Sequence, residues 1–245
     1  MSFPKILLGG TMKYLISDLV TELKPKYSYL QTLAKPFEYF GDREPEISIS
    51  LSDEYLNSML KKMVSGTTIG AAEEFSYAGK FCQKIIKYNA MLIHSSAIVY
   101  NGKAYLFAAD SGVGKSTHTA LWRKAFENKV KMINDDKPVV RIIDGKAIAY
   151  GTPFDGGSGI ANNISAPLGA VVFIERGESN SIRKAETSEI IKRLYFSTAH
   201  FVSRATADKM LTNFEKLITC TDFYIMTCNM DISAAYTARN EIVKN

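Results

Sequence analysis

Residues 109–117, Ala-Asp-Ser-Gly-Val-Gly-Lys-Ser-Thr, constrain this chain more than any other stretch. They match the phosphate-binding loop of the Walker A type, with Ala109 where the general pattern has Gly. The flanks are those the pattern requires. Residues 103–109 are an apolar, strand-like run, and residues 117–126 read as a helix. A strand, a glycine-rich turn and a helix gather several backbone N–H groups and a helix N-terminus around one anion. Gly112 and Gly114 let the backbone turn tightly and come close to phosphates. Lys115 would bring a positive charge to the β/γ-phosphates, and Ser116 a hydroxyl to the Mg²⁺ that bridges them. The expected nucleotide-binding set is Asp110, Ser111, Gly112, Val113, Gly114, Lys115, Ser116 and Thr117.

The order of elements around this loop predicts the fold class. Residues 91–100 read as one strand, Asn101-Gly102 as a type I′ turn, and residues 103–109 as the return strand. After the loop helix, residues 130–134 form a short strand. A second hairpin turns at Asp144-Gly145, and residues 168–175 make a strongly apolar strand. Helices are expected over 187–200, 206–219 and 232–243, with a strand at 223–226. This is not the βαβ rhythm of a parallel nucleotide-binding sheet. It predicts a mixed, largely antiparallel sheet with flanking helices, an α/β fold carrying a P-loop. Upstream, residues 46–51 alternate as a strand, Ser52-Asp53 caps a helix to about Lys62, and residues 67–89 carry a helical apolar face. Tyr27, Tyr29, Phe37, Tyr39 and Phe40 are expected to pack onto the main body. Residues 1–89 thus read as an N-terminal segment, and 90–245 as the domain bearing the loop.

Composition narrows the function classes. The chain has 245 residues, 46% of them hydrophobic, enough for a substantial core. Its net charge of +5 is spread along the chain, which suits an anionic ligand and gives no basic stripe for nucleic acid. Cys82, Cys220 and Cys228 form no CxxC pair, which argues against a zinc site and for a reduced, cytoplasmic protein. No signal peptide or membrane span is expected. Oligomeric state is left open.

Chemistry beyond binding centres on Asp135 and Asp136, which close an apolar run 20 residues after Lys115. One carboxylate there can join Ser116 in the Mg²⁺ shell, and a second can take a proton from an attacking hydroxyl. Asp135 is the first choice for the base, with Asp136 close behind. Consecutive strand residues point to opposite faces, so both serve only if the strand ends there. His94 could reach the γ-phosphate side, although its spacing alone favours a strand-edge histidine. His118 and His200 carry no clear role. Residues 151–159 hold four glycines and read as a loop able to close over an acceptor.

Asp110-Ser-Gly-Val-Gly-Lys-Ser116, the placement of His94 upstream of Lys115, and Ile133-Asn-Asp-Asp136 together resemble the catalytic domain of the bacterial HPr serine kinase/phosphorylase family. The resemblance covers residues 90–175 and, more loosely, the C-terminal third. It implies the fold shared with phosphoenolpyruvate carboxykinases, and it makes His94 an active-site residue with Lys115 and the aspartate pair. Lys137 stands where the family has Arg, and the family's separate N-terminal domain and later phosphorolysis signature are not recognisable. The chain is therefore similar to the short stand-alone members. The implied activity is ATP- and Mg²⁺-dependent transfer to a hydroxyl, whether a peptide serine or a small metabolite. A non-catalytic nucleotide sensor that binds a partner and a carboxykinase-like enzyme are the alternatives.

Overall fold

Short-range signals build the N-terminal third. In the computed structural model, which describes residues 12–198 and 204–243, β1 (Met12–Ile16) and β2 (Leu19–Leu23) pair antiparallel across Ser17 and Asp18. Both turn residues sit at positive φ, 56° and 60°, which gives the hairpin its hand without a glycine. Helix α1 (Ser28–Ala34) follows. The alternating run expected as a full strand pairs only over β3 (Ile47–Ser48), parallel to β2, although Ile49 and Leu51 are still buried. Helix α2 (Asp53–Lys62) starts where the Ser52 hydroxyl accepts the Tyr55 N–H. Helix α3 (Ile69–Ile85) starts where Thr68 accepts that of Ala71. Phe37 and Phe81 of this region share an apolar cluster with Leu92, Val139 and Phe154. Phe40 departs from expectation, since 86% of it is exposed.

The run from 91 to 100 is two strands rather than one. β4 (Ala90–Leu92) pairs with β8 (Val139–Ile143), whereas β5 (Ser95–Tyr100) pairs with β6 (Lys103–Ala108) and β7 (Val130–Asn134). The chain changes partners at Ile93 and His94, whose N–H groups bond Pro138 O and Ser197 O instead of a neighbouring strand. Helix α4 (Lys115–Phe126) lies between β6 and β7, and β8 turns into β9 (Lys146–Tyr150). Both expected hairpin turns form, with Asn101, Gly102, Asp144 and Gly145 all at positive φ.

The remaining elements are β10 (Ser165–Arg176), β11 (Ser181–Lys184), α5 (Thr187–Ser197), α6 (Arg204–Cys220), β12 (Asp222–Cys228) and α7 (Ser233–Ile242). The large sheet runs β4-β8-β9-β10-β6-β5-β7, with β12 also on β10 and β11 on β12. Among the described strands of this sheet, β10 pairs parallel with β6 and with β12; the other pairs are antiparallel. The fold is thus the expected mixed, largely antiparallel α/β arrangement.

The first residues of β10 pair with β9, and its later ones lie between β6 and β12. The register shifts between Leu168 and Ala170, at Gly169, where a Cβ would come within 2.9 Å of the Tyr105 ring. Helices α5 and α6 bury Leu194 and Phe214 against one face of the sheet. Trp122 of α4 and Ala235 of α7 pack on the other. Among the described residues no helix is long and apolar enough to cross a membrane, and Cys82, Cys220 and Cys228 form no disulfide.

Candidate functional site

The glycine loop stands where the sequence places it, between β6 and α4. Gly112 and Gly114 have φ of 77° and 128°, and a Cβ at either would meet nothing within 4 Å. Backbone conformation, not space, therefore demands glycine in this structure. Asp110, Ser111, Ser116 and Thr117 are exposed, and Val113 is half-buried. Lys115 is buried and folds back over the loop, its Nζ donating to Ala109 O at 3.0 Å and Asp110 O at 3.3 Å. Burial pushes its pKa down, and Asp136, Asp110 and Asp135 push the other way. Arg176, at the end of β10, donates to Val113 O at 3.1 Å and to Gly112 O. Nothing in the motif signals this brace; an arginine ending a strongly apolar strand is the only hint the sequence offers.

Asn134 answers how two adjacent aspartates can share one site. Strand β7 ends at this fully buried residue. Its Oδ1 accepts the N–H of Asp136 at 2.8 Å and of Lys137 at 2.6 Å, which turns the chain. Its Nδ2 donates to Thr152 O and Phe154 O, each at 3.0 Å. One carboxamide thereby joins the aspartate pair to the 151–159 loop. Asp135 accepts a hydrogen bond from the Ser96 hydroxyl, which lies 2.8 Å from Thr119 Oγ1 on α4. That chain of hydroxyls ties Asp135 to the helix carrying Ser116.

Asp136 has different partners. Its Oδ1 lies 3.0 Å from His94 Nε2, and its Oδ2 pairs with the Lys137 ammonium. Burial alone would raise this carboxyl, but the His94 hydrogen bond and the Lys137 charge outweigh it and hold the pKa at about 2. Lys137 also reaches Glu74 of α3 at 3.3 Å. Burial pushes the Glu74 carboxyl up, and Lys137 opposes it. Burial likewise disfavours the Lys137 ammonium, but its two carboxylate partners raise its pKa. The strand break at Ile93 and His94 is what frees the imidazole to meet Asp136. His118, in contrast, is buried beside Phe107 and accepts from Trp122 Nε1 at 3.1 Å. Burial drops its pKa to about 4, so it is a neutral core residue. His200 lies outside the described residues.

The 151–159 loop lies beside this cluster. A Cβ on Gly156 would sit 2.2 Å from Asp136 Oδ2. Its first half is a packed element rather than a free flap, since Thr152, Phe154 and Asp155 are buried. Asp155 accepts the N–H of Gly157 at 3.0 Å and of Gly159 at 2.6 Å, and the Tyr29 hydroxyl at 2.9 Å. Burial and this hydrogen bond together raise the Tyr29 pKa. Two cavities of about 600 Å³ each open here. One borders the glycine loop, between Asp110, Arg176 and Lys192. The other is lined by His94, Asp136, Lys137 and Gly156 together with α3. Ser197 and Phe196 border both.

Among the described residues no group of three or more His, Cys, Asp or Glu side chains is arranged to hold a metal ion. The sequence-expected donors here are the exposed Ser116 hydroxyl and the Asp135 carboxylate, with Asp110 and Asp136 also near Lys115. That set fits Mg²⁺, which keeps several waters and takes its other oxygens from phosphates.

No family model matches the chain, and no curated protein matches it. Among solved structures, the Hpr(Ser) kinase/phosphatase from Coxiella burnetii is similar with a TM-score of 0.37 and 11% identity, over 61% of this chain and 94% of that one.

Proposed function

We propose that this protein transfers the γ-phosphoryl group of ATP to an alcohol. The observation that carries the reading is the division of the aspartate pair. Asp135 is tied through Ser96 and Thr119 to the loop helix, while Asp136 opens with His94 onto a separate cavity. The N–H groups of residues 110–117 and the Lys115 ammonium would hold the phosphates. Ser116 and Asp135 would hold Mg²⁺, which neutralises charge between the β- and γ-oxygens when bound. This gives the metal to Asp135 and the acceptor to Asp136, the reverse of the first choice from sequence.

The acceptor oxygen would attack the γ-phosphorus as the bond to the β–γ bridging oxygen breaks and ADP leaves. The hydroxyl proton passes to Asp136. A carboxylate with so low a pKa is a weak base, but a loose phosphoryl-transfer transition state asks mainly for alignment of the hydroxyl. His94 and Lys137 hold that carboxylate in place. Residues 90–243 would supply the transfer chemistry, and α3 of the N-terminal segment a wall of the acceptor cavity. Cysteines outside disulfides suit a reducing cytoplasm.

Thermal melts test the nucleotide half. Mg-ATP should raise the Tm of the wild type and have little effect on Lys115→Ala. Assays of ADP release and phosphate transfer test the other half. Asp135→Asn should raise the Mg²⁺ requirement, whereas Asp136→Asn should keep Mg-ATP binding and lose transfer. Equal Tm shifts in wild type and Lys115→Ala, or wild-type transfer in both aspartate variants, would refute the reading.

A further inference from the structure

We infer that the cavity facing Asp136 takes an uncharged alcohol with an apolar body, and that the N-terminal segment selects it. This rests on the phosphotransfer reading and specifies its acceptor. The cavity, of about 600 Å³, has a mixed lining. His94, Asp136 and Lys137 are polar groups that would hold a hydroxyl. Met63, Ala71, Ala78 and Leu92 supply apolar wall, three of them from the N-terminal segment. A concave, mostly apolar pocket with a few converging polar groups is the usual form of a small-molecule site. The size admits a body of several carbons beyond the reacting hydroxyl.

Charge excludes anionic acceptors. Among the described residues lining the cavity, the ammonium of Lys137 is already bonded to both Glu74 and Asp136. His94 is bonded to Asp136, and the Tyr29 hydroxyl to Asp155. Lys137 lies between Glu74 and Asp136, so a carboxylate entering here meets two carboxyl groups and no uncommitted lysine. A free hydroxy acid, an amino acid or a peptide C-terminus is therefore a poor fit. The reaction itself is unchanged: the alcohol O–H gives its proton to Asp136, its oxygen bonds the γ-phosphorus, and ADP leaves.

The test has a kinetic arm and a binding arm. The full chain with Mg-ATP is offered the primary alcohols from propan-1-ol to hexan-1-ol, with L-serine and a serine-containing peptide for comparison. KM should fall about fourfold per methylene as each is buried, and hexan-1-ol should exceed L-serine at least tenfold in kcat/KM. Ala71→Phe, which enlarges a lining side chain, should abolish the chain-length trend; a retained Mg-ATP shift in Tm shows that it folds. The second arm omits ATP and follows displacement of bound Nile red by the same alcohols. Faster phosphorylation of L-serine or the peptide, or an unchanged trend in Ala71→Phe, overturns the inference. Displacement in chain-length order, blocked by Ala71→Phe but without phosphorylation of any acceptor, supports the cavity's preference and refutes the kinase reading instead.

Discussion

Lys137→Met should be among the most damaging single substitutions near the site, for electrostatic reasons the structure makes calculable. The Lys137 side chain is 14% exposed and that of Glu74 5%, with their charged atoms 3.3 Å apart. At an effective dielectric of 20 that pair is worth about 5 kcal/mol before desolvation is counted. Desolvation cancels most of this while both partners are present, so the ion pair contributes little net stability. Removing only the lysine keeps the desolvation cost and discards the attraction. The expected loss is roughly 3–5 kcal/mol, or roughly 6–20 °C in Tm for a chain of this size.

The loss should depend on pH with a definite sign. Burial already raises the Glu74 carboxyl, and without Lys137 it rises further. A carboxyl whose folded pKa exceeds its unfolded one takes up a proton on folding, so stability rises as pH falls through the folded value. The gap between variant and wild type should therefore narrow from pH 8 to pH 5.5. Glu74→Gln on the Lys137→Met background should recover much of the loss, because it removes the stranded charge. Urea and thermal melts of wild type, both single variants and the double variant at the two pH values decide the matter. A Lys137→Met protein melting within 2 °C of wild type, or no recovery in the double variant, would refute the reasoning.

The same geometry sets three further outcomes. Because Asp136 is held at about pH 2 when folded against an ordinary 3.8, it should contribute roughly 2 kcal/mol above pH 4 that is lost as pH falls towards 2; an acid titration of Asp136→Asn should lack that component. Gly156→Val should cut kcat about a hundredfold with Mg-ATP affinity intact, since its Cβ would displace the Asp136 carboxylate; isothermal titration beside turnover assays separates the two effects. Asn134→Ala should cost roughly 3 kcal/mol in urea unfolding, because it strands buried carbonyls and N–H groups at once.

Local chemistry made much of this molecule legible, and distance hid the rest. The glycine loop, the Asn101-Gly102 and Asp144-Gly145 hairpins and the Ser52 cap each depend on residues within a few positions of one another. The β1–β2 hairpin escaped because Ser17 and Asp18 adopt left-handed backbone without glycine. The break at Ile93 and His94 escaped because an apolar run reads the same whether it serves one sheet partner or changes partners midway. Asn134 had a signal, an Asn ahead of two aspartates at a strand end, whose meaning depends on the turn it makes. Glu74 with Lys137 and Tyr29 with Asp155 are 63 and 126 residues apart, and no local pattern announces such pairs.

The register shift at Gly169 has a consequence for how the length of this chain can vary. Beyond it, Val171 and Phe173 point into one apolar cluster, and Ala170, Val172 and Ile174 into the other, around Trp122. A side-chain period of two means that deleting one residue there would exchange these sets, driving a phenylalanine into space shaped for a valine or an isoleucine. The same slip would carry Arg176 away from the carbonyls of Gly112 and Val113 that it braces. Insertions and deletions among relatives of this protein should therefore collect in the connections at either end of β10 and spare residues 165–176, a silence in the gap pattern with a mechanical cause.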